Sequence, residues 1–158
     1  MLGAAIVTIS DSTAAGKRED KSGDAIEAML SEIPARLVTR IVVPDEEDRI
    51  YEELKNLCTR DDVHLVLTTG GTGVGPRDVT VEATRRVLEK ELPGIAEAIR
   101  AYGIQRARTA MLSRAVAGVA GDTVLVNLPG SEKGASESLR AVIDVLHHAV
   151  DMAAGGGH

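Results

Sequence analysis

Val63-His-Leu-Val-Leu-Thr-Thr69 runs straight into Gly70-Gly71. A continuous apolar run without alternation suits a strand buried on both faces, and glycines at its carboxyl end suit a sharp turn. A second run of this kind, Gly3-Ala-Ala-Ile-Val-Thr-Ile9, ends in Ser10-Asp11-Ser12. Between the two, Ile26, Met29, Leu30 and Ile33 recur at helical spacing, and Leu37 to Val43 is rich in β-branched residues. Ile50, Leu54, Leu57 and Cys58 then form an apolar stripe on a charged helix. Strand, helix, strand, helix, strand is the pattern of a parallel sheet.

Downstream, the spacing predicts a helix from Val81 to Leu92 stopped by Pro93-Gly94, and another from about Ile95 to Tyr102 ending near Gly103. Ala115 to Val119 and Thr123 to Leu128, separated by Ala120-Gly121-Asp122, predict a hairpin and so an antiparallel strand joined to the sheet. Leu139, Val142, Ile143, Leu146, Val150 and Ala153 mark a long amphipathic helix after Pro129-Gly130-Ser131. The fold class expected is α/β, in three layers of helix, sheet and helix, with a mostly parallel sheet and one antiparallel strand. One domain is expected over 1–154, with the Gly-rich 155–158 as a flexible tail.

Composition narrows the function. Of 158 residues, 18 are Lys or Arg and 24 Asp or Glu, for a formal charge of -6, with two Tyr as the only aromatics. Such a surface argues against nucleic-acid binding through basic patches and stacking platforms. A chain of this length buries roughly 70% of its unfolded surface. No stretch approaches a membrane span, and the apolar start lacks the flanks of a signal peptide, so a cytoplasmic protein is expected. The single cysteine, Cys58, forms no intramolecular disulfide and no zinc framework, and its place on an apolar stripe reads as inert core. The four histidines form no metal or triad pattern: His147 and His148 are adjacent and diverge on a helix.

In open α/β sheets, ligands bind beyond the carboxyl ends of the parallel strands. The loops there are Ser10-Asp11-Ser12, Pro44-Asp45-Glu46 and the segment from Gly70 to Thr80, and each carries a carboxylate. Four glycines in six residues, Gly70 to Gly75, suit a loop that wraps phosphate in backbone N–H groups, although neither the Walker nor the dinucleotide spacing is met. Asp45 reads either as the N-cap of the helix expected over Glu46 to Arg60 or as a metal ligand, and Asp78 either as the cap of the next helix or as a second ligand. Ser131 reads as an N-cap or as part of an anion site at the last helix. Arg77 and the Ser113-Arg114 pair are the candidate cations for a second anionic group.

Thr8-Ile-Ser-Asp11, Glu19-Asp-Lys-Ser-Gly23, Val43-Pro-Asp-Glu46, Leu67-Thr-Thr-Gly-Gly-Thr-Gly73, Pro76-Arg-Asp-Val-Thr80, Leu112-Ser-Arg114 and Asn127-Leu-Pro-Gly-Ser131 occur in this order. The combination resembles the MoaB/Mog family of molybdopterin adenylyltransferases, over residues 3 to about 153; related modules occur in gephyrin and the competence-damage proteins. The resemblance implies a three-layer α/β domain, commonly a homotrimer. It implies transfer of AMP from ATP to the terminal phosphate of molybdopterin with Mg²⁺, releasing pyrophosphate, before another protein inserts molybdate. Carried over, the family's two essential aspartates fall on Asp45 and Asp78, as metal-holding and catalytic residues. Gly70, Gly71, Thr72 and Gly73, with Pro129, Gly130 and Ser131, would receive the nucleotide. Ser10, Asp11, Gly23, Arg77 and Ser113 would line the substrate side, with Ser113 near the pterin phosphate. Two other readings are a non-catalytic molybdopterin-binding module and a nucleotide pyrophosphatase resembling the competence-damage relatives.

Overall fold

The computed structural model describes residues 1–156. Its six-stranded sheet has the order β2-β1-β3-β6-β5-β4. The strands are β1 (Leu2–Ile9), β2 (Ala35–Val43), β3 (Leu65–Thr69), β4 (Lys90–Glu91), β5 (Ala117–Ala120) and β6 (Thr123–Leu128). β2, β1, β3 and β6 are parallel, and β5 pairs antiparallel with both β6 and β4, so β5 alone opposes the others. The helices are α1 (Asp11–Ala14), α2 (Lys21–Met29), α3 (Glu47–Cys58), α4 (Thr80–Val87), α5 (Pro93–Ile104) and α6 (Glu132–Ala153).

Alternation along β1 divides the core. Ala4 and Ile6 pack with Leu65, Leu67, Val124 and Val126 beneath α2, α5 and α6. Ala5, Val7 and Ile9 join Val66 and Leu125 on the opposite face, with Ile50, Leu54 and Leu57 of α3 and Ala83 of α4. Period-two side chains from strands buried on both faces therefore feed two apolar layers. The chain steps from β1 to β2 in one direction across the sheet, then back past β1 to β3. Right-handed crossovers in opposite directions place their helices on opposite faces, which makes the carboxyl ends of β1 and β3 a topological switch point. No helix among the described residues is long and apolar enough to cross a membrane.

Two expectations are corrected. The helix predicted from Val81 to Leu92 ends at Val87, and Lys90–Glu91 instead forms the edge strand β4. Glu89 and Leu92 donate to the carbonyls of Val119 and Ala117 at 2.9 and 2.8 Å, so pairing with β5 overrides the helical preference of Glu-Lys-Glu-Leu. Pro93 opens α5 at its first turn rather than stopping the helix before it, where its missing N–H costs nothing. At the other end, the expected tail begins as a helix cap: Gly155, at φ +84°, and Gly156 donate back to Met152 and Asp151 in a Schellman turn. Residues 157–158 of that expected tail lie outside the described residues.

Candidate active site

The glycine loop sits at the switch point, locked there by close approach on three sides. Gly70 holds φ +106°, and a Cβ on it would lie 2.2 Å from the Ile9 carbonyl oxygen. Gly71 holds φ +69°, with its Cβ direction 2.1 Å from Thr80 Oγ1. Only glycine fits either position. The loop is tied to β6 by Gly70 N–H donating to the Leu128 carbonyl at 3.0 Å, and to α4 by Thr80 Oγ1 donating to the Gly70 carbonyl at 2.8 Å. Arg114 closes the third side. Its Nε donates to the Gly73 carbonyl at 2.7 Å and its Nη2 to the Asp78 carbonyl at 2.9 Å, while Nη1 and Nη2 grip the Glu82 carboxylate. Arg114, expected as a cation for substrate, therefore spends its donors on the loop.

Neither aspartate acts as a helix cap. Asp45 Oδ2 accepts the Asp11 N–H at 2.9 Å, and α3 starts without a side-chain cap. Asp78 Oδ2 accepts the Gly75 N–H at 2.8 Å, folding the carboxylate back onto its own loop, and α4 likewise lacks a side-chain cap. Asp11 in turn receives Nε and Nη2 of Arg77, both at 2.9 Å. Arg77 is thus paired within the loop cluster rather than poised for a second anion. Its guanidinium, with the Asp45 N–H, holds the Asp11 carboxyl below the usual range. Asp45 moves the other way: burial raises it most, and the negative charges of Asp11 and Asp78 raise it further.

Asp45 and Asp78 line the same cavity, with a second cavity adjoining across the glycine loop. One lobe, about 640 Å³, is bounded by Ser10, Asp20, Asp45, Gly70 and Asp78. The other, about 510 Å³, includes Thr72, Gly73, Ser113, Pro129 and apolar side chains such as Ile99 and Leu112. Gly71, Asp78, Gly130 and Ser131 line both, forming the ridge between them. The seven residues expected around the nucleotide therefore do not share one lobe. The reason is local: the glycine loop and the turn after β6 lie side by side, with a Cβ on Gly130 falling 3.2 Å from Gly70 Cα, so each loop faces both ways.

The remaining candidates are partly architectural. Ser10 caps α1 through the Thr13 N–H at 3.2 Å, and Ser131 caps α6 through the Gly134 N–H at 3.0 Å. Gly23 lines neither lobe; its N–H donates to Asp20 at 3.1 Å, and a Cβ there would strike that carboxylate. Ser113 Oγ accepts the Ala115 N–H at 3.3 Å in the wall of the smaller lobe.

Sequence reasoning passed over three cleft residues. Asp20 receives Thr8 Oγ1 at 2.8–2.9 Å and Arg40 at 2.9 Å; its signal was an Asp three residues before an N3 glycine. Arg100 lines the smaller lobe with Nη1 on the Ser113 and Ala115 carbonyls, and Glu137 lines the same lobe from α6. Neither stands in a motif. The two tyrosines carry Arg86 and Arg106 over their rings and line neither lobe.

Two hard carboxylates that repel each other suit a divalent cation shared with phosphate oxygens. No group of three His, Cys, Asp or Glu side chains among the described residues forms a protein-only metal cage.

The family described as "Probable molybdopterin binding domain" matches residues 5–148. The chain is 40% identical over 153 residues to the molybdopterin adenylyltransferase of Helicobacter pylori strain J99, covering 95% of this chain and 86% of that protein. It is 42% identical over 148 residues to the molybdenum cofactor synthesis protein cinnamon of Drosophila melanogaster, covering 93% of this chain but only 25% of that longer protein. The crystal structure of the molybdopterin biosynthesis enzyme MoaB from Thermus thermophilus superposes with a TM-score of 0.92 at 45% identity, covering 98% of both chains. With the family matched over most of its length and these relatives alike in sequence and fold, the chain belongs to the molybdopterin-binding domain family.

Proposed function

We propose that this protein is a molybdopterin adenylyltransferase that transfers AMP from ATP to the terminal phosphate of molybdopterin. The observation that carries the reading is that Asp45 and Asp78 line one lobe, with Asp78 on the ridge where the two lobes meet. Relatives bearing that activity in their names, including those of Helicobacter pylori and Escherichia coli, support it.

One substrate occupies each lobe, and the reacting phosphates meet over Gly71, Gly130 and Ser131. A phosphate oxygen of molybdopterin attacks the α-phosphorus of ATP as the bond from that phosphorus to the bridging oxygen breaks, and pyrophosphate leaves with the electron pair. The nucleophile is already ionised, so no general base is needed. The protein's task is to hold two anions in line against their repulsion. Backbone N–H groups of the glycine loop and the N-terminus of α6 face those anions. Asp45 and Asp78 would hold Mg²⁺, which supplies charge neutralisation of the transferring phosphates. A homotrimeric assembly and hand-over of the adenylylated product to a molybdate-insertion protein belong to the same proposal.

Purified protein incubated with ATP, Mg²⁺ and molybdopterin should yield adenylylated molybdopterin and pyrophosphate in equal amounts. Absence of both products overturns the reading.

A further inference from the structure

The smaller lobe continues beyond the phosphate ridge along α6, whose Lys133, Gly134, Glu137 and Ser138 line it. These positions share one helical face. Glu137 stands six residues beyond the cap Ser131, about 9 Å farther along the axis at the usual helical rise. It is therefore placed to meet the far end of a ligand whose phosphate lies at the ridge.

The state of its carboxylate sets it apart. The Glu137 side chain is 25% exposed, and Lys133 Nζ, itself 84% exposed, approaches only to 3.9 Å, too far for a hydrogen bond. No hydrogen-bond donor among the described residues reaches it. Two other carboxylates at this end of the sheet are fully engaged, Asp20 by Thr8, Gly23 and Arg40, and Glu82 by both terminal nitrogens of Arg114. Glu137 is a half-enclosed anion with its acceptors unspent, facing a cavity whose walls mix apolar side chains such as Ile99 and Leu112 with Arg100, Arg106 and Lys133.

The two substrates offer it different edges. The pyrimidine ring of a pterin presents two adjacent donors, the ring N–H and the exocyclic amine, which match a carboxylate in a bidentate pair. Adenine presents one amine flanked by acceptor nitrogens, and a carboxylate beside those is repelled. We infer that the smaller lobe holds the pterin and that Glu137 reads its donor edge, selecting the pterin over the adenine of the co-substrate. This rests on molybdopterin being a substrate, and it adds the residue that tells the two rings apart.

Anaerobic calorimetric titrations of the full chain, wild type, Glu137→Ala and Glu137→Gln, with molybdopterin and separately with ATP and Mg²⁺, test it. Glu137→Ala should weaken molybdopterin binding roughly 10- to 100-fold while ATP affinity stays within about twofold. Glu137→Gln should lose at least as much, because its amide donors face the ring donors. Rescue of molybdopterin affinity by Gln, parallel loss of both ligands, or selective loss of ATP each overturns the inference and leaves the transferase reading standing. Wild-type protein that binds no molybdopterin overturns both.

Discussion

Asp45 and Asp11 clasp each other through exchanged groups: Asp45 Oδ2 accepts the Asp11 N–H at 2.9 Å, and Asp11 Oδ1 accepts the Asp45 N–H at 3.0 Å. The loops after two neighbouring parallel strands are thereby joined at their tips. The clasp costs Asp45 one oxygen and leaves Oδ1 toward the cavity, 3.4 Å from the Cβ direction of Gly71. Arg77 seals the outer side by pairing with Asp11, so the inner carboxylate is positioned without an ion pair of its own among the described residues.

Asp11→Asn keeps an oxygen for the Asp45 N–H, whereas Asp11→Ala removes that half of the clasp and the Arg77 pair, leaving only the backbone N–H of residue 11 on Asp45 Oδ2. Asp11→Ala should raise the Mg²⁺ concentration for half-maximal adenylyl transfer roughly tenfold, and Asp11→Asn much less, as for residues that orient a metal ligand. Steady-state rates against Mg²⁺ concentration measure this, and equal effects of the two variants would contradict it.

Asp78→Asn still offers an oxygen to the Gly75 N–H and removes only the charge. Turnover should fall roughly 100- to 1,000-fold, with the urea midpoint nearly unchanged.

Because burial, then the charges of Asp11 and Asp78, raise the Asp45 pKa, its ionised form opposes folding. That opposition is present above its folded-state pKa and disappears as pH falls through it. The proposed Mg²⁺-holding role requires the ionised form, so on that role the acid limb of kcat/KM should lie above the ordinary aspartate range. Higher Mg²⁺ should move the limb to lower pH; a limb indifferent to Mg²⁺ would exclude Asp45 as its origin.

Gly71 and Gly16 both have positive φ, +69° and +73°, but a Cβ meets Thr80 Oγ1 at 2.1 Å at the first and nothing within 4 Å at the second. Gly16→Ala should cost about 1 kcal/mol from backbone conformation alone. Gly71→Ala should cost at least about 2 kcal/mol and displace Thr80. Denaturant titration of the two variants separates strain from collision.

Asn127 is fully buried and joins four segments: Nδ2 donates to Thr68 at 2.9 Å and Thr84 at 3.1 Å, and Oδ1 accepts the Val116 N–H at 3.2 Å. Asn127→Ala strands a buried amide and should lower stability by about 2–4 kcal/mol, read from the urea midpoint.

Much of the architecture was legible because it rests on periodicity. Unbroken apolar runs at 3–9 and 63–69 become two-sided strands, and the stripe from Ile50 to Leu57 becomes the inner face of α3. The segment from Leu88 to Leu92 was illegible because edge pairing with β5 is a long-range contact that local preference opposes. At the site, the residue types and their loops were legible, and their partners were not. Asp45 and Asp78 each read as a cap or a metal ligand, since a carboxylate before a helix is usually a cap; hydrogen bonds to Asp11 and Gly75 took the capping role away.

By itself, then, the chain's sequence determined the layers, the parallel sheet and the loops that carry chemistry, because burial period and glycine placement are written locally. Tertiary structure decided which carboxylates keep free oxygens, how Arg77 and Arg114 spend their charge, and that one glycine ridge faces two lobes. Those outcomes depend on groups as far apart in the chain as Asp11 and Arg77, which only the folded sheet brings within hydrogen-bond reach.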